Sequence, residues 1–290
     1  MSEHSGKFAR LGAVSTSSGW TLNETNDSQK YSTSNLACGM GRRRGKFDWN
    51  GTVKGYGEMP PFMPGQIFPF QGFTAPDNDV SGPGTTAVGN AIVTQAVITW
   101  GFADAAILNW QLTFAGHLKL NWLSNTITDT TDVVVPSVCG TKVDILQGTE
   151  FEEMGHVTEA VLTLTNEVKE FTNTSTFVDG VCCVGRRAGL PDFTLAISQE
   201  CTDRDESGGL PDAPPIGSDR EFRLFVNNTD FWGLRWAHVT GYSGLTADNE
   251  TADIITRTIN FEKNGFNGGL GRVSKPDGSN FWPATSAPAA

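Results

Sequence analysis

Apolar and polar residues alternate in short runs along most of this chain, and the three-and-four spacing of an amphipathic helix is hard to find. Ala91–Trp100, Ile107–Phe114, Val157–Leu164 and Glu221–Val226 are rich in β-branched and aromatic residues. Each reads as a half-buried antiparallel strand. Met63-Pro-Gly65, Ser81-Gly-Pro-Gly84 and Gly208-Gly209 supply turns between such runs. The pattern predicts an all-β chain, sandwich or barrel, with at most a short helix in each half.

The pattern also repeats. Gly41-Arg-Arg-Arg-Gly45-Lys-Phe-Asp48-Trp49 in the first half answers Gly185-Arg-Arg-Ala-Gly189-Leu-Pro-Asp192-Phe193 in the second. The offset is constant, because 185 − 41, 189 − 45 and 192 − 48 all equal 144. Upstream, Trp20-Thr-Leu22 matches Leu162-Thr-Leu164, and Lys30-Tyr31 matches the Lys169–Phe171 stretch after a small shift. Downstream, Pro60-Pro61 then Gly65 matches Pro214-Pro215 then Gly217, and Phe114 matches Phe261. An ordered series of this length predicts a tandem duplication. The seam is expected near Gln147-Gly148, giving one β domain over 1–147 and a second, with a C-terminal tail, over 148–290.

Composition narrows the possible functions. With 38% hydrophobic residues in 290 the chain can bury a core, while only 18% are charged, so much of the surface must be Ser, Thr, Asn and Gly. The net charge of −11 argues against a protein whose main task is gripping nucleic acid. It is also uneven. Residues 1–145 carry 10 Lys+Arg against 11 Asp+Glu (−1), and residues 146–290 carry 11 against 21 (−10). No apolar run is long enough to span a membrane, and the polar N-terminus lacks a signal-peptide core, so no membrane association is expected. Five cysteines without a C-x-x-C pair read as free thiols in a reducing cytosol.

Candidate chemistry is thin. Gly41-Arg-Arg-Arg-Gly45-Lys46 lacks the glycine spacing and the following Ser/Thr of a phosphate loop, and reads instead as a strand connection with glycines at positive φ. The four histidines have no metal-site spacing, and no nucleophile–base set emerges, so neither catalysis nor a cofactor is expected. Trp20, Trp49, Trp110 and Trp236 lie within strand-like runs and are expected in the core. Arg42, Arg43, Arg186 and Arg187 remain. Their forked guanidinium groups suit bidentate contacts, and they are expected at an assembly interface, holding carboxylates of the next domain or subunit. Solvated loop arginines are the alternative.

The run Gly45–Gln66, with Asp48-Trp49, Tyr56 and Pro60-Pro61 through Pro64-Gly65, resembles the major tail tube proteins of long-tailed bacteriophages. So do the run Ala91–Trp122, with its closing Trp110–Gly116, and the second-half segments Asp192–Ile197, Pro214–Ser218 and Ile254–Phe261. The resemblance covers nearly the whole chain, twice. It implies tube domains whose inner strands close between subunits into a β-barrel, and rings of six domains stacked into a hollow virion tail that conducts DNA. Two domains per chain then imply a pseudo-hexamer of three chains, assembled in the host cytoplasm. The implied partners are other copies of the chain, other phage tail proteins and DNA passing transiently through the lumen. The acidic surplus around Asp203, Asp205 and Glu206 is expected on outer loops. A capsid or tail decoration protein and, more distantly, a carbohydrate-binding β protein are the other readings.

Overall fold

The computed structural model describes residues 2–6, 8–11, 17–31, 41–43, 45–57, 59, 62–74, 83–102, 108–126, 142–179, 181–202, 214–227, 229–248, 254–264 and 272–274. Among these the chain is all-β. The strands up to residue 126 are β1 (Ser2–Gly6), β2 (Phe8–Leu11), β3 (Ser17–Asn26), β4 (Gln29–Tyr31), β5 (Gly41–Arg43), β6 (Lys46–Tyr56), β7 (Ile67–Thr74), β8 (Pro83–Gly101) and β9 (Asn109–Thr126). After residue 142 come β10 (Val143–Gln147), β11 (Glu150–Glu153), β12 (Val157–Asn166), β13 (Lys169–Phe171), β14 (Phe177–Val178), β15 (Val181–Cys183), β16 (Gly185–Arg187) and β17 (Pro191–Thr202). The last four are β18 (Asp219–Phe225), β19 (Phe231–Asp248), β20 (Ile254–Lys263) and β21 (Arg272–Ser274). No α-helix occurs among the described residues; Thr174–Thr176 forms a single 3₁₀ turn capped by Asn173. Ala91–Trp100 and Val157–Leu164 lie wholly in strands, Glu221–Val226 up to Phe225 and Ile107–Phe114 from Asn109, with Ile107 outside the described residues, and β8 and β9 run well beyond the predicted ends.

The chain forms two compact units, each drawn from three stretches. Unit 1 comprises Met1–Ala96, Gln111–Val134 and Thr165–Pro191, and unit 2 comprises Val97–Trp110, Val135–Leu164 and Asp192–Ala290. The units therefore differ from the sequence halves 1–147 and 148–290. The segment 165–191 belongs to unit 1, and 97–110 belongs to unit 2.

One series of strand pairings occurs twice. The pairings β3–β6, β6–β9, β7–β8 and β2–β7 are answered by β12–β17, β17–β20, β18–β19 and β10–β18. Two small separate ribbons, β4–β5 and β13–β16, share a register: Lys30 faces Arg42 as Glu170 faces Arg186, and Tyr31 faces Gly41 as Phe171 faces Gly185. Individual hydrogen bonds recur as well. Asn26 Oδ1 accepts the Gly45 N–H at 3.2 Å, and Asn166 Oδ1 accepts the Gly189 N–H at 2.7 Å. Asp48 and Asp192 each accept the N–H of the following aromatic residue at 2.8 Å. The Gly65 and Gly217 N–H groups donate to Val93 O at 2.7 Å and Val239 O at 2.9 Å, both glycines at positive φ.

These bonds equate Asn26 with Asn166, an offset of 140, and so place Leu22 on Leu162. The sequence match had set Trp20 there, two residues away. Strand periodicity is two, so that slip keeps every residue on the same face and hydrophobic pattern alone cannot detect it.

Each unit has its own core, placed by the alternation. In unit 1, Trp20, Trp49, Phe68, Phe70 and Phe114 are buried, with Phe70 and Phe114 ring centroids 4.8 Å apart. In unit 2, Phe193, Leu195, Phe222, Val239, Ile259 and Phe261 are buried, with Phe222 and Phe261 4.7 Å apart. Trp110 is core as expected, but Trp236 is not, being 36% exposed. It sits at φ +60° where β18 and β19 shift register between Arg220 and Phe222. The extra residue of a bulge breaks the alternation and turns the ring outward.

Candidate assembly site around Arg186

The Gly185-Arg-Arg motif is a strand, β16, rather than a loop, and it runs back along β13. Its glycines serve close approach, which corrects the expectation of positive φ: neither Gly45 nor Gly189 is among the positive-φ glycines. A Cβ at Gly45 would fall on the Asp27 carbonyl, one at Gly189 on the Glu167 carbonyl, and one at Gly185 on the Phe171 ring. Only glycine lets the returning strand lie this near the outgoing one.

This ribbon carries Arg186 into unit 1, where its side chain is only 4% exposed. Its Nη1 and Nη2 donate to Asp48 Oδ1 and Oδ2 at 2.8 and 2.7 Å, an end-on bidentate pair. Nη2 also donates to Glu170 Oε1 at 2.8 Å, and Nη1 to the Gly116 carbonyl oxygen. Burial opposes the guanidinium charge. The hydrogen bonds and charges of Asp48 and then Glu170 outweigh it and hold the Arg186 pKa above its ordinary value.

Neighbouring groups extend the network. Lys46 Nζ lies 3.1 Å from Glu170 Oε2; this hydrogen bond, with the Arg186 contribution, outweighs partial desolvation and holds Glu170 below the usual carboxylate range. The Arg186 N–H donates to His117 Nδ1 at 3.1 Å, so that nitrogen is unprotonated. Burial, followed by the Arg186 charge, pushes His117 below its ordinary 6.5. β15 pairs parallel with β6 through Cys182–Lys46 and Cys183–Phe47, and Leu118 N–H donates to Val184 O at 2.8 Å.

The four candidate arginines are thus placed unequally. Arg186 is an internal anchor. Arg187 is exposed, its guanidinium 4.9 Å from the Phe171 ring. Arg42 and Arg43 lie in β5, facing Lys30 and Gln29, and their side chains fall outside the described residues. Arg44, Asp203, Asp205 and Glu206 lie outside them as well. Cys201 and Thr202, just before those acids, complete β17 opposite Ile255 and Ile254.

Sequence reasoning found the arginines and missed their acceptors. Asp48 carried a signal, because it recurs at the same offset as the arginines and sits beside a core aromatic. Glu170 and the Gly116 carbonyl carried none. No protein-family model and no curated protein matches this chain. Among the described residues no cluster of His, Cys, Asp and Glu could hold a metal ion, and no helix is long and apolar enough to cross a membrane.

Proposed function

We propose that the chain is a virion structural subunit built from two tandem copies of one tube domain, polymerising into the hollow tail tube of a long-tailed bacteriophage. The observation that carries this reading is the doubled strand series with its matched hydrogen bonds, on the same segments whose sequence resembles tail tube proteins. Three chains supply six equivalent domains, and stacked rings enclose a bore for the genome.

The long hairpins suit that task. β8 pairs with β9, and β19 pairs with β20 over a long span; their solvent-accessible positions include Thr94, Gln111, Thr113, Thr240, Ser243 and Asn260. Thr94 Oγ1 donates to Thr113 O at 3.0 Å, and Asn260 Nδ2 to Ser243 Oγ at 3.1 Å. A strand face of neutral polar groups contacts DNA without the counterion-releasing grip of lysine and arginine. Closing sheets between subunits also removes free strand edges.

Negative-stain microscopy of the purified protein over rising concentration tests the proposal. Hollow tubes or stacked rings are expected. Discrete trimers that coat a preformed shell and never make tubes would support the decoration reading instead.

A further inference from the structure

The turn Met63–Gly65 of unit 1 is covered. Met63 and Pro64 are buried, and a Cβ at Gly65 would lie 2.8 Å from Asn166 Nδ2 and 3.0 Å from Ala188 Cβ. Its cover is the β13–β16 ribbon with its flanks, the segment that also drives Arg186 onto Asp48. Among the described residues nothing covers the matching turn of unit 2. Pro215, Ile216 and Gly217 are all exposed, Ile216 at 61%, and a Cβ at Gly217 would meet nothing within 4 Å. Asp192, the counterpart of Asp48, is exposed too.

Among the described residues the other half of the contact is exposed as well. Asn26, Asp27, Ser28 and Lys30 are exposed beside the β4–β5 ribbon, whereas Asn166, the counterpart of Asn26, is buried. Charge points the same way. Arg186 faces a carboxylate on its own ribbon, but Arg42 stands opposite Lys30. Like charges across a ribbon destabilise it unless an anion lies between or beside them.

We infer that the β4–β5 ribbon of one chain docks on the Asp192–Gly217 face of a second copy, Arg42 taking Asp192 as Arg186 takes Asp48. The contact joins two different surfaces head to tail, so it closes into a ring when the rotation closes and runs on as a filament when it does not. Where Lys46 binds Glu170 within the chain, the corresponding residues are Leu190 and Lys30, so the intermolecular contact has one ion pair fewer and dissociates before the chain unfolds. The inference rests on the repeat and not on the tube: a ring of any purpose satisfies it.

Charge reversal tests it. Arg42→Asp and Asp192→Arg each weaken self-association by roughly thirtyfold or more, the loss expected when one partner of a desolvated pair is removed. The double variant Arg42→Asp/Asp192→Arg, which restores opposite charges, reassembles. Asp192→Asn keeps an acceptor for the Phe193 N–H, so its weaker assembly at unchanged thermal stability separates docking from folding. Sedimentation and mass photometry read the outcome. Single variants that assemble like the natural chain, a folded double variant that stays monomeric, or a natural chain monomeric at every concentration overturn the inference. Tubes that tolerate every variant overturn it while leaving the tube reading intact. Discrete rings with the charge rescue, and no tubes, keep the inference and overturn the tube reading.

Discussion

Arg186 differs from Arg187 by one residue and by its surroundings, and the difference sets what each contributes. Truncating Arg186 leaves the partly buried Asp48 without its bidentate partner and removes a donor from the Gly116 carbonyl, while Glu170 keeps Lys46. Arg186→Ala is expected to cost about 3 kcal/mol of stability in urea unfolding. Arg187→Ala removes an exposed cation–ring contact and is expected to cost less than about 1 kcal/mol. The sequence led to the expectation of a carboxylate on the next domain or subunit, and Arg186 takes Asp48, which lies in the other sequence half of its own chain. The same site sets an acid dependence. His117 and Glu170 both titrate lower in the folded chain than in the unfolded one, so the unfolded chain takes up more protons as pH falls. Stability is complete above about pH 6.5, declines as pH drops through the lowered His117 value, and declines further below about 4.5 as Glu170 protonates. Thermal melts of the natural chain and His117→Gln at pH 7.5, 6, 5, 4 and 3.5 check this. The variant loses the first decline and keeps the second.

At the scale of elements, the ribbons depend on glycine for closeness and the turns depend on it for φ. Gly189→Ala forces a Cβ into the Glu167 carbonyl, and a backbone shift of that kind is expected to cost roughly 1–3 kcal/mol and to loosen the β13–β16 ribbon in hydrogen exchange. Gly217→Ala meets open space and bears only the left-handed backbone penalty, about 1–2 kcal/mol, without disturbing the ribbon. The strand runs and the doubled motif were legible in the sequence because alternation and turn residues are local signals. The two-residue slip between Leu22 and Leu162 was not, since both registers bury the same face. Trp236 was not either: a bulge is set by pairing with β18, which no property of the Trp236 neighbourhood reports. Asp48 was legible only as a repeated acid, because its partner lies 138 residues away.

At the scale of the whole molecule, unequal charge and unequal cover belong together. The half with −10 carries the exposed Asp192, and the half with −1 carries Arg42–Arg44, so the inferred contact would join opposite local charges. Raising salt is therefore expected to slow association and lower assembly yield, by screening contacts beyond about 8 Å at 0.15 M. Assembled tubes are expected to hold DNA only weakly at physiological salt, measured by co-sedimentation, because a bore poor in lysine and arginine releases few counterions.

End-on electron micrographs of the assembled protein test the central claim most directly. The account predicts ring averages with six similar lobes from three chains around an open bore. Monomers at every concentration, or compact particles without a bore, would contradict it.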